Sequence, residues 1–152
     1  MKQALPLLLS LVLVSCAALQ PPPASTPTAV PPLILKPEEN PYTPKLEDVS
    51  LKQDNVVITA VSLSERYDLT PIRAQLYVSG SMPSVCSEPR VKVNPPNEQY
   101  QISIEVYSVA DLKLKCENVF QQFEVNMLLG LYSPGQYTVW VNDNFTGSMA
   151  SY

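Results

Sequence analysis

The stretch YQISIEV, residues 100–106, alternates apolar and polar side chains along its whole length. Alternation with a period of two is typical of a β-strand that buries one face. The apolar face of this segment consists of Tyr100, Ile102, Ile104 and Val106. Similar alternation occurs in IRAQLYV (72–78), FEVNMLL (123–129) and QYTVWVN (136–142). The pattern predicts an all-β protein whose antiparallel sheets each keep one face in solvent.

Shorter segments extend this pattern on both sides. VVITAVSL at Val56–Leu63, RVKV at Arg90–Val93 and the tail Thr146–Tyr152 are each long enough for one strand. No segment after the N-terminal apolar run has an apolar stripe with helical spacing. About seven short strands separated by turn signals, over residues 46–152, predict a single antiparallel β-sandwich domain.

Composition excludes several classes of function. The chain has 152 residues, a net charge of −4 and no histidine. Without a basic cluster it is a poor nucleic-acid binder, and without histidine it lacks the commonest general base and metal ligand. It has neither a Gly-rich phosphate loop nor a catalytic triad, and its carboxylates are scattered. We therefore expect no catalytic residues, no metal and no small-molecule cofactor.

One oxygen-rich segment has two interpretations. Asn142, Asp143 and Asn144 could ligate calcium through their side-chain oxygens. Consecutive Asn and Asp residues are more typical of a hairpin turn, because they tolerate left-handed backbone. The turn is the interpretation that the sequence favours.

The first residues have the order of a signal peptide. Lys2 precedes an apolar run, Ala4–Val14, that is too short to cross a bilayer as a helix but has the length of a signal-peptide core. The residues LVSC at 13–16, which include the last two residues of this run, resemble the lipobox of bacterial lipoproteins. The alternative is an ordinary secretory signal with an incidental cysteine.

The lipobox resemblance implies a lipid anchor. In that family the signal peptide, here residues 1–15, is removed, and the thiol of the new first residue, here Cys16, carries diacylglycerol, usually with N-linked palmitate or a related acyl chain. Ala17 stands where an aspartate would retain such a protein in the inner membrane. The resemblance therefore implies a bacterial cell-envelope protein held to a membrane through lipid, the outer membrane if the source is Gram-negative.

A proline-rich linker separates this anchor from the predicted domain. Nine of the 28 residues from Ala17 to Pro44 are proline. Prolines interrupt helices and cannot donate to a sheet ladder, so residues 16–45 are expected to form a spacer with polyproline character. Leu33, Ile34 and Leu35 interrupt its polar character and are candidates for an edge strand.

The count of three cysteines supports the lipoprotein interpretation independently of the lipobox. If Cys16 carries lipid, Cys86 and Cys116 remain, and an exported compartment favours a disulfide between them. Two free thiols are the alternative. A closed loop of this length stabilises a fold by about 3–4 kcal/mol on the chain-entropy model.

A second resemblance concerns the domain itself. Residues 74–142, with GSMPSVCSEPRVKV, YQISIEVYSV, Cys116 and FEVNMLLGLYSPGQYTVWVN, resemble small immunoglobulin-like modules of secreted bacterial lipoproteins. In SPGQYTVWV, Tyr137 resembles the corner tyrosine of immunoglobulin-like domains, whose hydroxyl bonds to nearby backbone. The alternative role for Tyr137 is an ordinary core aromatic.

These features predict a binding protein. Alternation turns Trp140 away from the core, with Tyr107 and Tyr77 as further outward aromatics, and such side chains can mark a binding face. The expected partner is an envelope or extracellular protein or a polymer, and not nucleic acid. The alternative function is a protease inhibitor that presents the SMPSVCSEP loop at 81–89, stiffened by a disulfide.

Overall fold

The computed structural model describes residues 39–152. The predicted signal peptide, Cys16, the Leu33–Leu35 segment and most of the proline-rich linker lie outside the described residues. Those predictions therefore stay predictions.

Eight strands and one short 3₁₀-helix make up the described part of the chain. The 3₁₀-helix spans Leu46–Ser50. The strands are β1 (Lys52–Asn55), β2 (Val57–Arg66), β3 (Arg73–Met82), β4 (Glu88–Val93), β5 (Gln101–Ala110), β6 (Gln121–Leu128), β7 (Gly135–Val141) and β8 (Asn144–Ser151).

The strands form two sheets packed face to face. Sheet A contains β1, β4, β5, β7 and β8, and sheet B contains β2, β3 and β6 in that order. β5 lies at the centre of sheet A, with β4 along one edge and with β7 and then β1 along the other. The β-sandwich predicted from the alternating segments is confirmed, with eight strands instead of about seven.

The core is formed by the alternating side chains that the sequence placed inward. Leu76, Val78, Ile104, Val125 and Val139 are completely buried between the two sheets. All four apolar residues predicted to face inward from β6 and its end are also buried: Phe123, Val125, Met127 and Leu129. Tyr100 differs from the prediction, since it precedes β5 at a positive φ of 58° and remains half-exposed.

Sheet A departs from the expected antiparallel arrangement at one pair of strands. β5 and β7 run parallel, with Gln101 opposite Thr138 and Ile104 opposite Val141. The reason is the course of β6, the strand that lies between β5 and β7 in the sequence. β6 crosses to sheet B and runs antiparallel to β3 there, so it carries the chain back to the end from which β5 started. β6 thus acts as the crossover connection that a parallel pair requires.

The turn between β7 and β8 fills a gap in sheet A. β7 accompanies β5 as far as Ile104, and β1 begins opposite Tyr107. Between them, the Asn142 side chain accepts a hydrogen bond from the Val106 N–H (2.7 Å) and donates one to the Val106 carbonyl (2.9 Å). Its amide thereby replaces the missing strand.

The same turn confirms the hairpin interpretation of the Asn–Asp segment. Asn142 and Asp143 have φ values of 44° and 64°, the left-handed backbone of a two-residue hairpin turn. The backbone N–H of Asn142 also donates to the Ile104 carbonyl at 2.9 Å, which ties the turn to β5.

Tyr137 has the corner role that its sequence context predicts. Its hydroxyl donates to the Ser133 carbonyl at 2.8 Å, and its ring is 3% exposed. The ring packs between two other tyrosines, Tyr100 at 5.4 Å and Tyr132 at 5.2 Å between centroids. This hydrogen bond fixes the chain as it enters β7.

Residues 39–45 lie along one open side of the sandwich. The Tyr42 carbonyl accepts from the Val91 N–H of β4 at 2.8 Å, and the Tyr42 hydroxyl reaches the Glu124 carbonyl of β6 at 3.4 Å. The segment therefore bridges the edges of both sheets. Asn40, the second residue of the segment, is almost completely buried.

Candidate functional site

The predicted disulfide is formed and joins two loops at one end of the sandwich. The sulfurs of Cys86 and Cys116 are 2.13 Å apart and their Cα atoms 5.9 Å apart. Cys86 belongs to loop 83–87 after β3, and Cys116 belongs to loop 111–120 after β5. Both strands end on the same side of the molecule, so the bond ties the two sheets together there.

Exposed apolar side chains collect at this end. We call the 3₁₀-helix, loop 83–87 and loop 111–120 together the disulfide end. Among the described residues, seven of the twelve exposed large hydrophobic side chains belong to it, with exposed fractions from 48% to 93%. They are Leu46, Val49, Val85, Leu112, Leu114, Val119 and Phe120. Apolar surface gathered on a few loops is typical of an interaction site.

The charges of loop 111–120 cancel. Its two lysines, Lys113 and Lys115, are matched by Asp111 and Glu117. The Asp111 carboxylate accepts the Lys113 backbone N–H at 2.9 Å, which fixes the first turn of the loop. A loop with equal numbers of positive and negative charges has little attraction for an anionic surface.

An ion pair holds the 3₁₀-helix on sheet A. The Arg90 guanidinium donates to both Asp48 carboxylate oxygens, at 2.8 and 2.9 Å, and the two side chains are 4% and 10% exposed. The hydrogen bonds from Arg90 hold the pKa of the Asp48 carboxyl below its usual range. Glu88 adds a second ion pair to Arg90 at 3.0 Å. Leu46 and Val49 are thus presented by a firmly attached helix.

The described chain begins at the opposite end of the sandwich. Glu39 pairs with Arg73 at 3.6 Å, and the Arg73 guanidinium donates to the Leu129 carbonyl. Arg73 opens β3, whereas loop 83–87 follows its last residue. Any anchor that precedes residue 39 therefore joins the domain at the end remote from the disulfide.

The three aromatic residues proposed as one binding face lie on two different sheets. Tyr77 projects from the outer face of sheet B, opposite Ser62 and Asn126. Tyr107 and Trp140 belong to sheet A. They do not form one surface, because alternation along a strand separates inward from outward side chains but does not say to which sheet a strand belongs.

Trp140 faces outward as predicted but is half-buried. Phe145 of β8 lies against it, with ring centroids 5.5 Å apart, and its indole N–H donates to the Thr138 hydroxyl at 3.3 Å. Phe145 is the more exposed ring of the pair. Phe145, the second residue of β8, follows the turn between β7 and β8, outside any alternating segment, so periodicity alone does not predict that it covers Trp140.

The described residues show no cluster suited to a metal ion. Within residues 39–152, no three His, Cys, Asp or Glu side chains come together as potential ligands. The same part of the chain contains no helix with the length and apolarity needed to cross a bilayer.

Comparison with known proteins supports the fold. Residues 76–150, just under half of the chain, match the model of the ORF11 beta-sandwich domain. The matched segment runs from β3 into β8 and includes both cysteines of the disulfide. No curated protein and no solved structure matches the chain.

Proposed function

We propose that this protein is a lipid-anchored, non-catalytic binding protein of the bacterial cell envelope that contacts a partner protein through its disulfide end. The observation that carries the proposal is the set of seven exposed apolar side chains at the disulfide end, five on the loops joined by Cys86–Cys116 and two on the 3₁₀-helix. Their position remote from residue 39 supports a role at the membrane-distal side of the domain.

The chemistry of the disulfide end favours a protein as the partner. Leu112, Leu114 and Val119 offer aliphatic surface without hydrogen-bonding groups, which suits the apolar core of a protein interface and not a hydroxyl-rich polymer. The disulfide restricts the two loops before binding, so less conformational entropy is lost when a partner is bound.

The anchor is supported by the order of the N-terminal residues. Lys2, an apolar run and LVSC at 13–16 resemble a lipoprotein signal, and an odd cysteine count agrees with lipid on Cys16 and a disulfide between the other two. Metabolic labelling with an alkyne-tagged palmitate tests this directly. The label should be incorporated by the wild type and absent from Cys16→Ser, and equal labelling of both would refute the anchor.

A matched pair of photo-crosslinking sites tests the interface. A photoreactive residue at Leu114 should form one discrete adduct in intact envelopes, whereas the same residue at Tyr67 should not. Tyr67 is a suitable control because it is 72% exposed but lies between β2 and β3, at the opposite end. The captured protein, once purified, should bind the wild type and lose at least about tenfold in affinity with Leu112→Asp.

Two outcomes would contradict the proposed interface. Adducts of equal yield at both positions would show that the partner has no preference for the disulfide end. Purified partner that binds Leu112→Asp as well as it binds the wild type would show that the apolar surface does not contribute.

A protease inhibitor is the second candidate, and one observation favours it. Val85 is 48% exposed on loop 83–87, directly beside a disulfide cysteine. A stiff loop with an exposed aliphatic side chain could enter the small specificity pocket of an elastase-like protease. Stoichiometric inhibition of elastase by the wild type, lost in Val85→Asp, would replace the first proposal. Unchanged elastase activity would eliminate this candidate.

A further inference from the structure

A second site lies on the outer face of sheet A and shares no lining residue with the disulfide end. It is a groove of about 450 Å³ at the gap between β1 and β7 along β5. Neither strand accompanies β5 between Ile104 and Tyr107, and the Asn142 side chain that bonds to Val106 there leaves a groove beside it.

The lining of this groove is mostly polar. Its side chains include two carboxylates, three amides, one hydroxyl and one phenol: Glu105, Asp143, Gln53, Asn55, Asn142, Ser103 and Tyr107. The side chains of Gln53, Asn55, Ser103 and Tyr107 make no hydrogen bond to another described residue. Groups that both donate and accept hydrogen bonds are therefore free to meet a ligand.

A peptide strand does not fit the gap. On this side of β5, Glu105 and Val106 have no partner in β7 or β1, and both the N–H and the carbonyl of Val106 are already bonded to the Asn142 side chain. An added peptide strand binds a sheet edge through main-chain hydrogen bonds, and those of Val106 are already used. The ligand must therefore be recognised by side chains.

The charges of the groove disfavour an anionic ligand. Neither lysine nor arginine lines the groove. Hydrogen bonds from Asn94 and Lys92 hold the pKa of the Glu105 carboxyl below its usual range, so that carboxylate is ionised at neutral pH. Asp143 adds a second negative charge. Lys92 already pairs with Glu105 at 2.9 Å and no cation lines the groove, so phosphates and acidic sugars meet no free positive charge there.

Apolar surface at the site comes from Tyr107 and Val56, which line the groove. Trp140 is outside the lining, but it pairs with the lining residue Ser103 and therefore lies on the same face of sheet A. Amphipathic rings beside amides and a hydroxyl suit a ligand with apolar faces and many hydroxyl groups. We propose that this groove binds a neutral oligosaccharide of hexose or N-acetylhexosamine units.

Calorimetric titration of the full chain in a zwitterionic detergent tests the proposal. Chito-, cello- and malto-tetraose serve as the probes, and a sugar-free detergent avoids competition. At least one probe should bind saturably. Tyr107→Ala and Asn55→Ala should each weaken that binding by about tenfold or more, while Tyr77→Ala should leave it unchanged. Tyr77 is the matched control, because it is an outward tyrosine on the opposite sheet.

Each other outcome would overturn the proposal. No saturable binding of any probe would exclude the ligand class. Equal loss in Tyr107→Ala and Tyr77→Ala, or none in Asn55→Ala, would exclude the groove as the site. The result is independent of the protein interface, because no residue of the disulfide end lines the groove.

Discussion

Replacing Asn142 with glycine would test how the open edge of β5 is closed. The Asn142 amide makes two hydrogen bonds to the backbone of Val106, a residue that is 3% exposed. Glycine accommodates the φ of 44° without strain but has no amide, so the change removes the two hydrogen bonds and leaves the turn conformation accessible.

The expected loss of stability follows from those two bonds. Each net hydrogen bond contributes about 1 kcal/mol, and the solvent-exposed turn allows water to reach part of the vacated site, so we expect about 2 kcal/mol for Asn142→Gly. Asn142→Ala should cost about 1 kcal/mol more, because alanine in left-handed backbone is strained. Asp143→Gly is the matched control. It changes the neighbouring left-handed residue, whose side chain makes no hydrogen bond to another described residue, and creates the preferred Asn-Gly turn.

Urea unfolding of the full chain, followed by the fluorescence of its single tryptophan, measures these differences. With a slope of about 1.5 kcal/mol/M, a loss of about 2 kcal/mol lowers the midpoint by about 1.3 M. Asp143→Gly should unfold at or above the wild-type midpoint. If Asn142→Gly has the wild-type midpoint, the amide does not replace a strand and our explanation of the gap is wrong.

Three further changes have defined outcomes. Reduction of Cys86–Cys116 should lower the free energy of unfolding by about 3–4 kcal/mol, measured by urea unfolding with and without reductant; a loss below about 1 kcal/mol would mean that the loops are held by other contacts. Arg90 lowers the folded-state pKa of Asp48, so this pair stabilises the fold above about pH 4 and less as the pH falls below that value. Wild type should therefore lose more stability than Asp48→Asn between about pH 5 and pH 2, and parallel unfolding curves would contradict this. Tyr137→Phe removes one buried hydroxyl bond and should cost about 1 kcal/mol in thermal or urea unfolding, whereas an unchanged midpoint would assign the tyrosine to packing alone.

Much of the fold could be predicted because β3, β5 and β6 each bury one face. In β3 and β6 the inward residues Leu76, Val78, Val125 and Met127 follow a strict period of two. That periodicity is a local property of the chain, so it can be recognised directly in the sequence. The turn at Asn142 was readable for the same reason, since backbone preference is also local.

The features that the sequence did not reveal depend on distant residues. β1 is the polar segment KQDN, which has no apolar alternation and is a strand because Lys52–Asn55 pair with β5. The parallel pairing of β5 with β7 depends on the sheet to which β6 crosses. The side-chain pattern within β5 or β7 does not predict which sheet that is.

The two candidate sites could not be predicted from the sequence for the same reason, although one consists of apolar residues and the other of polar residues. Leu112, Leu114 and Phe120 are apolar, and a sequence alone offers no reason to place such residues outside the core when they lie in a loop. Gln53 and Asn55 are polar and unpatterned, and they become part of a groove only because β1 and β7 share one edge of β5. Exposure of apolar residues and convergence of polar ones are both consequences of topology. A binding surface on a sandwich is therefore identified by which strands meet, after periodicity has identified the strands themselves.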